Sequence, residues 1–200
     1  MRLHDGIAAL GLGLPASAEA QLEAYLALLA KWNRTYNLSA IRDPAQMVTH
    51  HLLDSLALLP HLPPELETLV DVGSGAGLPG LPLAIARPGT AVVSVEASQK
   101  KASFQQQAKI ELGLTNLRVH CGRVEALQLQ AGAIVSRAFA SLADFVAAAG
   151  HLGDRLLAMK GLYPQAEIAA LPATWRVETV LPLAVPGLDA ERHLIILGRL

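Results

Sequence analysis

Asp71-Val-Gly-Ser-Gly-Ala-Gly-Leu-Pro-Gly80 sets one carboxylate beside a loop dense in glycine. Such a loop can turn sharply, reach φ > 0 and approach a ligand with no Cβ in the way. Two frames overlap in it. Gly75-Ala-Gly77-Leu-Pro-Gly80 satisfies the G-x-G-x-x-G spacing of a dinucleotide site, with Glu96 about 20 residues on, where a ribose-binding acid belongs. Asp71-x-Gly73-x-Gly75-x-Gly77 is the frame of an S-adenosylmethionine (AdoMet) site. We prefer the second. Pro79 and Pro82 make a poor long helix for cradling a pyrophosphate, and AdoMet has no phosphate that would need one. It needs a carboxylate near its cationic methionine end. Asp71 is placed for that role, or else for orienting the N–H groups of its own loop.

These residues need elements to hold them at one edge. Thr68–Val72 reads as a buried strand, apolar and rich in valine, and 81–86 as a short helix after the loop. Further strands are expected at 91–95, Leu117–Cys121, 133–136 and 156–159. Helices are expected from Ser98, as its cap, to Gly113, from Ser141 and Asp144 onward, and over 164–171. Alternation of this kind, five βα units in all, implies a parallel sheet, whose carboxyl edge binds ligands. That edge would collect Asp71, Gly73, Gly75, Gly77, Leu78, Glu96, Val124, Glu125 and Arg137. Segments 175–183 and 193–197 are too close in sequence for a crossover helix, so they must pair as an antiparallel hairpin. The expected architecture is α/β, Rossmann-like: a mostly parallel seven-stranded sheet of the class I AdoMet-dependent methyltransferase type, with an N-terminal helical segment.

Residues 1–62 read as that helical appendage and 63–200 as the AdoMet-binding core, with Pro60, Pro63 and Pro64 marking the passage. Leu22, Tyr25, Leu26, Leu29 and Trp32 recur at helical spacing and form a packing stripe. Asp43-Pro44-Ala-Gln46 opens another helix as a capping box. In it His51, Asp54 and Ser55 share a face. A hydrolase triad within one turn would have poor geometry and no oxyanion hole. These three are therefore expected to dock the appendage on the core, with substrate contact as a second use.

Each edge residue offers a chemistry. Glu96 can accept charge-assisted bonds from both hydroxyls of a ribose. Val124 and Glu125 lie where an adenine would sit. Arg137 leaves the fourth strand where a methyl acceptor arrives, and could hold the methionine carboxylate, orient the acceptor or form a structural ion pair. Absences narrow the acceptor. No Asn/Asp-Pro-Pro-aromatic run follows the fourth strand, as methylation of an exocyclic amine would want. Cys121 lies inside the third strand, badly placed as the nucleophile for pyrimidine C5. What remains is an atom with a free lone pair, such as guanine N7, for which catalysis reduces to alignment and desolvation.

Composition sets the bounds. A chain of 200 residues, 52% apolar and 16% charged, suits one domain with a large core. No apolar run reaches the ~18–20 residues of a membrane span, and the N-terminus lacks a signal-peptide pattern. One cysteine excludes an intramolecular disulfide or a cysteine-clustered metal site. The expectation is a cytoplasmic protein, monomeric and without a metal. A net charge of −1 means that any nucleic-acid role must rest on a local basic face.

Lys31-Trp-Asn-x-x-Tyr-Asn-Leu-Ser39, His51-x-x-Asp-Ser55, the 71–80 loop, Ser136-Arg-Ala-Phe-Ala140, Lys160-Gly161 and Leu188-Asp-x-Glu-Arg-His193 together closely resemble the glucose-inhibited division protein B (GidB) family. The likeness runs from about residue 20 to 198. It implies a bacterial AdoMet-dependent methyltransferase acting on guanine N7 in the decoding-region loop of 16S ribosomal RNA, with S-adenosylhomocysteine as product. Gly73, Leu78, Val124, Glu125 and Arg137 match the family's cofactor contacts. Glu96-Ala-Ser-Gln-Lys-Lys101 departs from the Asp-Ser-x-x-Lys-Arg frequent among relatives, so its acid reaches one methylene further. Arg34, Lys100, Lys101, Arg123 and Lys160 would have to supply the RNA face. The rivals are a nicotinamide-dependent oxidoreductase, a small-molecule methyltransferase and a non-catalytic AdoMet binder or ribosome-assembly factor.

Overall fold

Thr68–Val72 (β1) lies at the centre of a seven-stranded sheet in the computed structural model, which describes residues 1–200. Its parallel neighbours are β2 (Ala91–Glu96) and β4 (Ala133–Arg137). Beyond them β3 (Leu117–Cys121) and β5 (Arg155–Lys160) continue in parallel. The last pair, β6 (Trp175–Pro182) and β7 (His193–Arg199), is the expected antiparallel hairpin. β7 inserts beside β5, giving the order β3-β2-β1-β4-β5-β7-β6.

Both faces of the central strands are covered, which is why they read as continuous apolar runs. Along β1, Leu69 packs to one side while Val70 and Val72 pack to the other. The first face is covered by α5 (Gly80–Ala86), α6 (Gln99–Glu111) and the N-terminal helices α1 (Leu3–Ala9) and α2 (Ala16–Tyr36). Leu22, Tyr25, Leu29, Leu52 and Leu53 belong to the same buried cluster as Leu69 and Leu81, so the N-terminal helices share the apolar core of this face. Of the expected stripe, Leu26 and Trp32 are only half-buried, and Leu28 is buried in addition. The second face packs on α7 (Leu142–Ala149), whose Phe145 and Val146 meet Ile134 and Val70. No helix is long and apolar enough to cross a membrane.

Four local expectations are corrected. Between β3 and β4 there is only a single 3-10 turn, Val124–Ala126. Only Val124 and Leu127 are buried in this stretch, with Leu129 and Ala131 half-buried against the same core, too small an apolar face to hold a longer helix. The helix after Pro44 is not regular: α3 (Pro44–Met47) passes into a π-wound stretch, Val48–Leu53, and then α4 (Asp54–Leu56). Its capping box is half formed, since Asp43 accepts the Ala45 N–H at 3.0 Å while Gln46 is exposed. Ser98 makes no side-chain cap on α6; its backbone N–H donates to Glu96 Oε1 at 2.7 Å. A short α8 (Gln165–Ala169) follows β5.

Candidate active site

The glycine loop turns at the carboxyl end of β1, where the N–H groups of Gly73 and Ser74 donate to the Val95 carbonyl at 3.0 and 3.1 Å. Its glycines divide into two kinds. A Cβ on Gly73 (φ +69°) or Gly75 (φ +58°) would meet no atom within 4 Å, so both line open space. A Cβ on Gly77 would overlap Leu81, and one on Gly80 would stand 2.7 Å from Asp71 Oδ2. The first pair leaves room for a ligand; the second lets the loop pack down.

Asp71 lies fully buried beneath the loop and accepts the Gly80 N–H on Oδ2 at 2.7 Å. Of the two roles considered for it, orienting the loop is the one its contact serves. Oδ1 has no partner. Burial pushes the carboxyl up to about 7, against the opposing pull of the Gly80 N–H and of Arg137. Two residues that sequence reasoning does not assign to the site also hold the loop. Gln105, fully buried on α6, donates to Ser74 Oγ and to the Gly75 carbonyl, both at 2.8 Å, and accepts from Ser94 Oγ at 2.5 Å. Tyr25 of α2 donates to the Ala76 carbonyl at 2.8 Å. The helical spacing of Tyr25 speaks for packing alone, and a glutamine at the spacing of Ala102 and Ala108 is the only hint of the other.

Glu96 ends β2 with its carboxylate shared between the loop and α6: Oε2 accepts from Gly75 N at 2.8 Å and Oε1 from Ser98 N at 2.7 Å. Each oxygen keeps a further lone pair for a ribose hydroxyl. Beside it Val72, Gly73, Val95, Ala97 and Val124 wall a cleft of about 230 Å³, mostly apolar and suited to a flat ring. Glu125 stands at its mouth, exposed and bonded to Arg123 at 3.2 Å. Its own backbone N–H and Arg123 hold its carboxyl below the usual range.

Two more cavities continue this cleft along the sheet edge. Gly73 leads into one of about 340 Å³, walled by the loop to Leu78, Ser39, His51, Lys101 and Arg137. His51, Arg137 and Ala138 then form the seam with a third, of about 420 Å³, which reaches His50, Asp54, Lys160 and Arg192. Ala138 holds φ +66°, a left-handed conformation costing an alanine about 1 kcal/mol and located at this seam. Arg137 donates through Nη1 to the His50 carbonyl at 2.9 Å and to Asp54 Oδ2 at 3.0 Å. Asp54 Oδ1 takes Arg192 Nε at 3.0 Å.

His51 does not join Asp54 and Ser55 in a triad. Its Nε2 lies 2.8 Å from Ser39 Oγ, and Ser55 Oγ donates to the His51 carbonyl at 2.6 Å. Ser39 Oγ also accepts the Ile41 N–H at 3.1 Å, and His51 Nδ1 is buried without a partner. Burial and Arg137 push His51 down to about 4, leaving a neutral ring. Asp54 performs the expected docking, tying the N-terminal helices to Arg137 of β4 and to Arg192, the residue before β7.

The basic residues expected to face RNA divide. Arg34 and Lys100 are exposed, and Lys101 lines the loop cavity. Arg123 is exposed but paired with Glu125. Lys160 departs from the expectation: its ammonium is turned inward, to Glu167 at 2.8 Å and the Phe139 carbonyl at 3.1 Å. No group of three or more His, Cys, Asp or Glu side chains could hold a metal ion.

The family model described as rRNA small subunit methyltransferase G (GidB) matches residues 18–195. The ribosomal RNA small subunit methyltransferase G of Azoarcus sp. (strain BH72) is 58% identical over 203 residues, spanning 99% of this chain and 95% of its own. A SAM-dependent methyltransferase from Aquifex aeolicus superposes with a TM-score of 0.60 at 17% identity, over 78% of this chain and 93% of its own. M. jannaschii TYW2 in complex with AdoMet gives 0.55 at 14% identity, over 74% of each chain. Those two likenesses establish the class I methyltransferase fold. The sequence matches establish more: the chain belongs to the rRNA small subunit methyltransferase G (GidB) family.

Proposed function

We propose that this chain methylates N7 of one guanine in 16S ribosomal RNA, using AdoMet and releasing S-adenosylhomocysteine. It acts without a metal, as a monomer in the cytoplasm, on the small ribosomal subunit or its RNA. Gly73 and Gly75 give the donor its path, Glu96 accepts its ribose hydroxyls, and Val124 and Glu125 border its adenine. Leu78 lines the tail, while Asp71 and Gly77 hold the loop in shape. When bound, AdoMet supplies a methyl carbon on a sulfonium, open to direct displacement by the N7 lone pair, with the positive charge passing to the purine. Arg137 orients the acceptor at the seam. Arg34, Lys100, Lys101 and Arg123 supply charge for the surrounding RNA.

The observation that carries this reading is the run of linked cavities from Glu96 past the glycine loop to Arg137, in a chain whose residues 18–195 match the GidB family model. His51 Nε2 is engaged by Ser39, and both oxygens of Asp54 are engaged by arginines. Guanine N7 suits such a site, since its lone pair is free and the acceptor has no proton to lose. The walls align the reactants and exclude water, and no proton transfer is required.

The test is methyl transfer from labelled AdoMet to small subunits from cells lacking this gene, followed by mapping of the labelled base. We expect a single 7-methylguanine in 16S RNA. Unlabelled RNA with AdoMet binding intact would favour a small-molecule acceptor instead.

A further inference from the structure

The third cavity holds an imbalance of charge. One carboxylate, Asp54, with its side chain 3% exposed, serves two guanidiniums, Arg137 and Arg192, each 3.0 Å from a different oxygen. Lys160, on the same wall, is neutralised by Glu167. The cavity is therefore left with a surplus positive charge on its arginine pair. Arg192 spends Nε on Asp54 and Nη1 on the Glu191 carbonyl, which leaves Nη2 without a protein partner. A guanidinium fixed in this way keeps a fork of donors for an oxyanion.

The two arginines stand differently to the reaction. Arg137 lines both the loop cavity and the third cavity, whereas Arg192 lines only the third and so lies on the wall away from the donor loop. A phosphodiester keeps its negative charge through the reaction and complements a cation on the far wall. We infer that Arg192 receives the phosphodiester of the guanosine turned into this cavity, and that Asp54 is the positioning residue that holds its guanidinium there. The inference rests on the RNA methylation reading.

Steady-state methylation of small subunits by wild type, Arg192→Gln and Arg192→Lys, at several salt concentrations and with calorimetric AdoMet binding, tests it. For Arg192→Gln we expect KM for the RNA substrate to rise at least about tenfold, as loss of a charged contact does. We expect kcat and AdoMet affinity to stay close to wild type. The dependence of log KM on log salt should become shallower by about 0.7 to 0.9, the loss of one phosphate contact. Arg192→Lys should retain the salt slope with a smaller rise in KM, since it keeps the charge and loses the fork. An unchanged KM, an unchanged salt slope, or a parallel fall in AdoMet affinity would overturn the inference and make Arg192 a brace for Asp54 alone. If wild type leaves RNA unlabelled, the methylation reading itself falls. If wild type labels RNA and Arg192→Gln behaves like it, only the role of Arg192 falls.

Discussion

Arg137 Nη1 stands 3.0 Å from Asp54 Oδ2, a bond across 83 residues that ties the exit of β4 to the end of the N-terminal helical run. Removing the guanidinium leaves Asp54 still paired with Arg192, so the fold should survive Arg137→Ala. Methyl transfer should not. We expect kcat to fall about 100-fold, as misplacement of an acceptor does, with AdoMet affinity changed by far less. Single-turnover kinetics beside calorimetry would separate the two, and equal losses would make Arg137 a cofactor anchor only.

Two loop glycines should fail in different ways. Gly75→Asp directs a side chain into the open cleft, beside the Glu96 carboxylate that accepts the Gly75 N–H. AdoMet binding should be lost while the melting temperature moves little. Gly77→Ala instead drives a methyl into Leu81 at φ +91° and should destabilise the fold by about 2 kcal/mol in urea titration. Normal AdoMet affinity in Gly75→Asp would remove the loop from the cofactor site.

Gln105→Leu deletes the bonds that α6 makes to Ser74 and the Gly75 carbonyl, and leaves buried Ser94 Oγ without its acceptor. A cost of about 2 to 3 kcal/mol is expected for unsatisfied buried groups. The loop should also loosen. Faster hydrogen exchange at Ser74 to Ala76, with weaker AdoMet binding, is the expected result.

Asp71 and His51 should tilt stability in opposite directions with pH. The folded Asp71 carboxyl lies near 7, above its ordinary 3.8, so the folded chain binds the extra proton between those values. Its contribution is complete below 3.8 and is lost as pH rises through 7. His51 lies near 4, below its ordinary 6.5, so the unfolded chain binds the extra proton and stability from this group rises with pH across that interval. Denaturation of Asp71→Asn and His51→Gln against wild type, at stepped pH, should give difference profiles of opposite slope. Parallel profiles would contradict both assignments.

Much of this architecture is legible in the residues because burial on both sheet faces writes the strands as apolar runs and the glycines mark the loop. The hairpin is implied by the short span between two strand patterns. Other parts have no such mark. Gln105 looks like one more polar residue in a helix that begins Gln-Lys-Lys, and only packing shows that it points inward. Lys160 and Glu167 pair across a turn that no periodicity announces. Asp54 and Arg192 lie 138 residues apart, and a motif can name both without showing that they touch. The single turn between β3 and β4 reads as a full βα unit because alternation elsewhere is regular.

The π-wound stretch Val48–Leu53 is a matter of phase. A wide turn accommodates a residue without an added rung, so the next turn of helix is rotated by about 100° from where an unbroken α-helix would leave it. That rotation helps to set Asp54 beneath two arginines. The geometry here is thus encoded by a count as well as by identities. Point substitutions between Val48 and Leu53 leave the residue count untouched, while the loss of one residue there would turn the carboxylate away with every other side chain still present. A lineage could keep all the functional residues of this protein and still lose their arrangement.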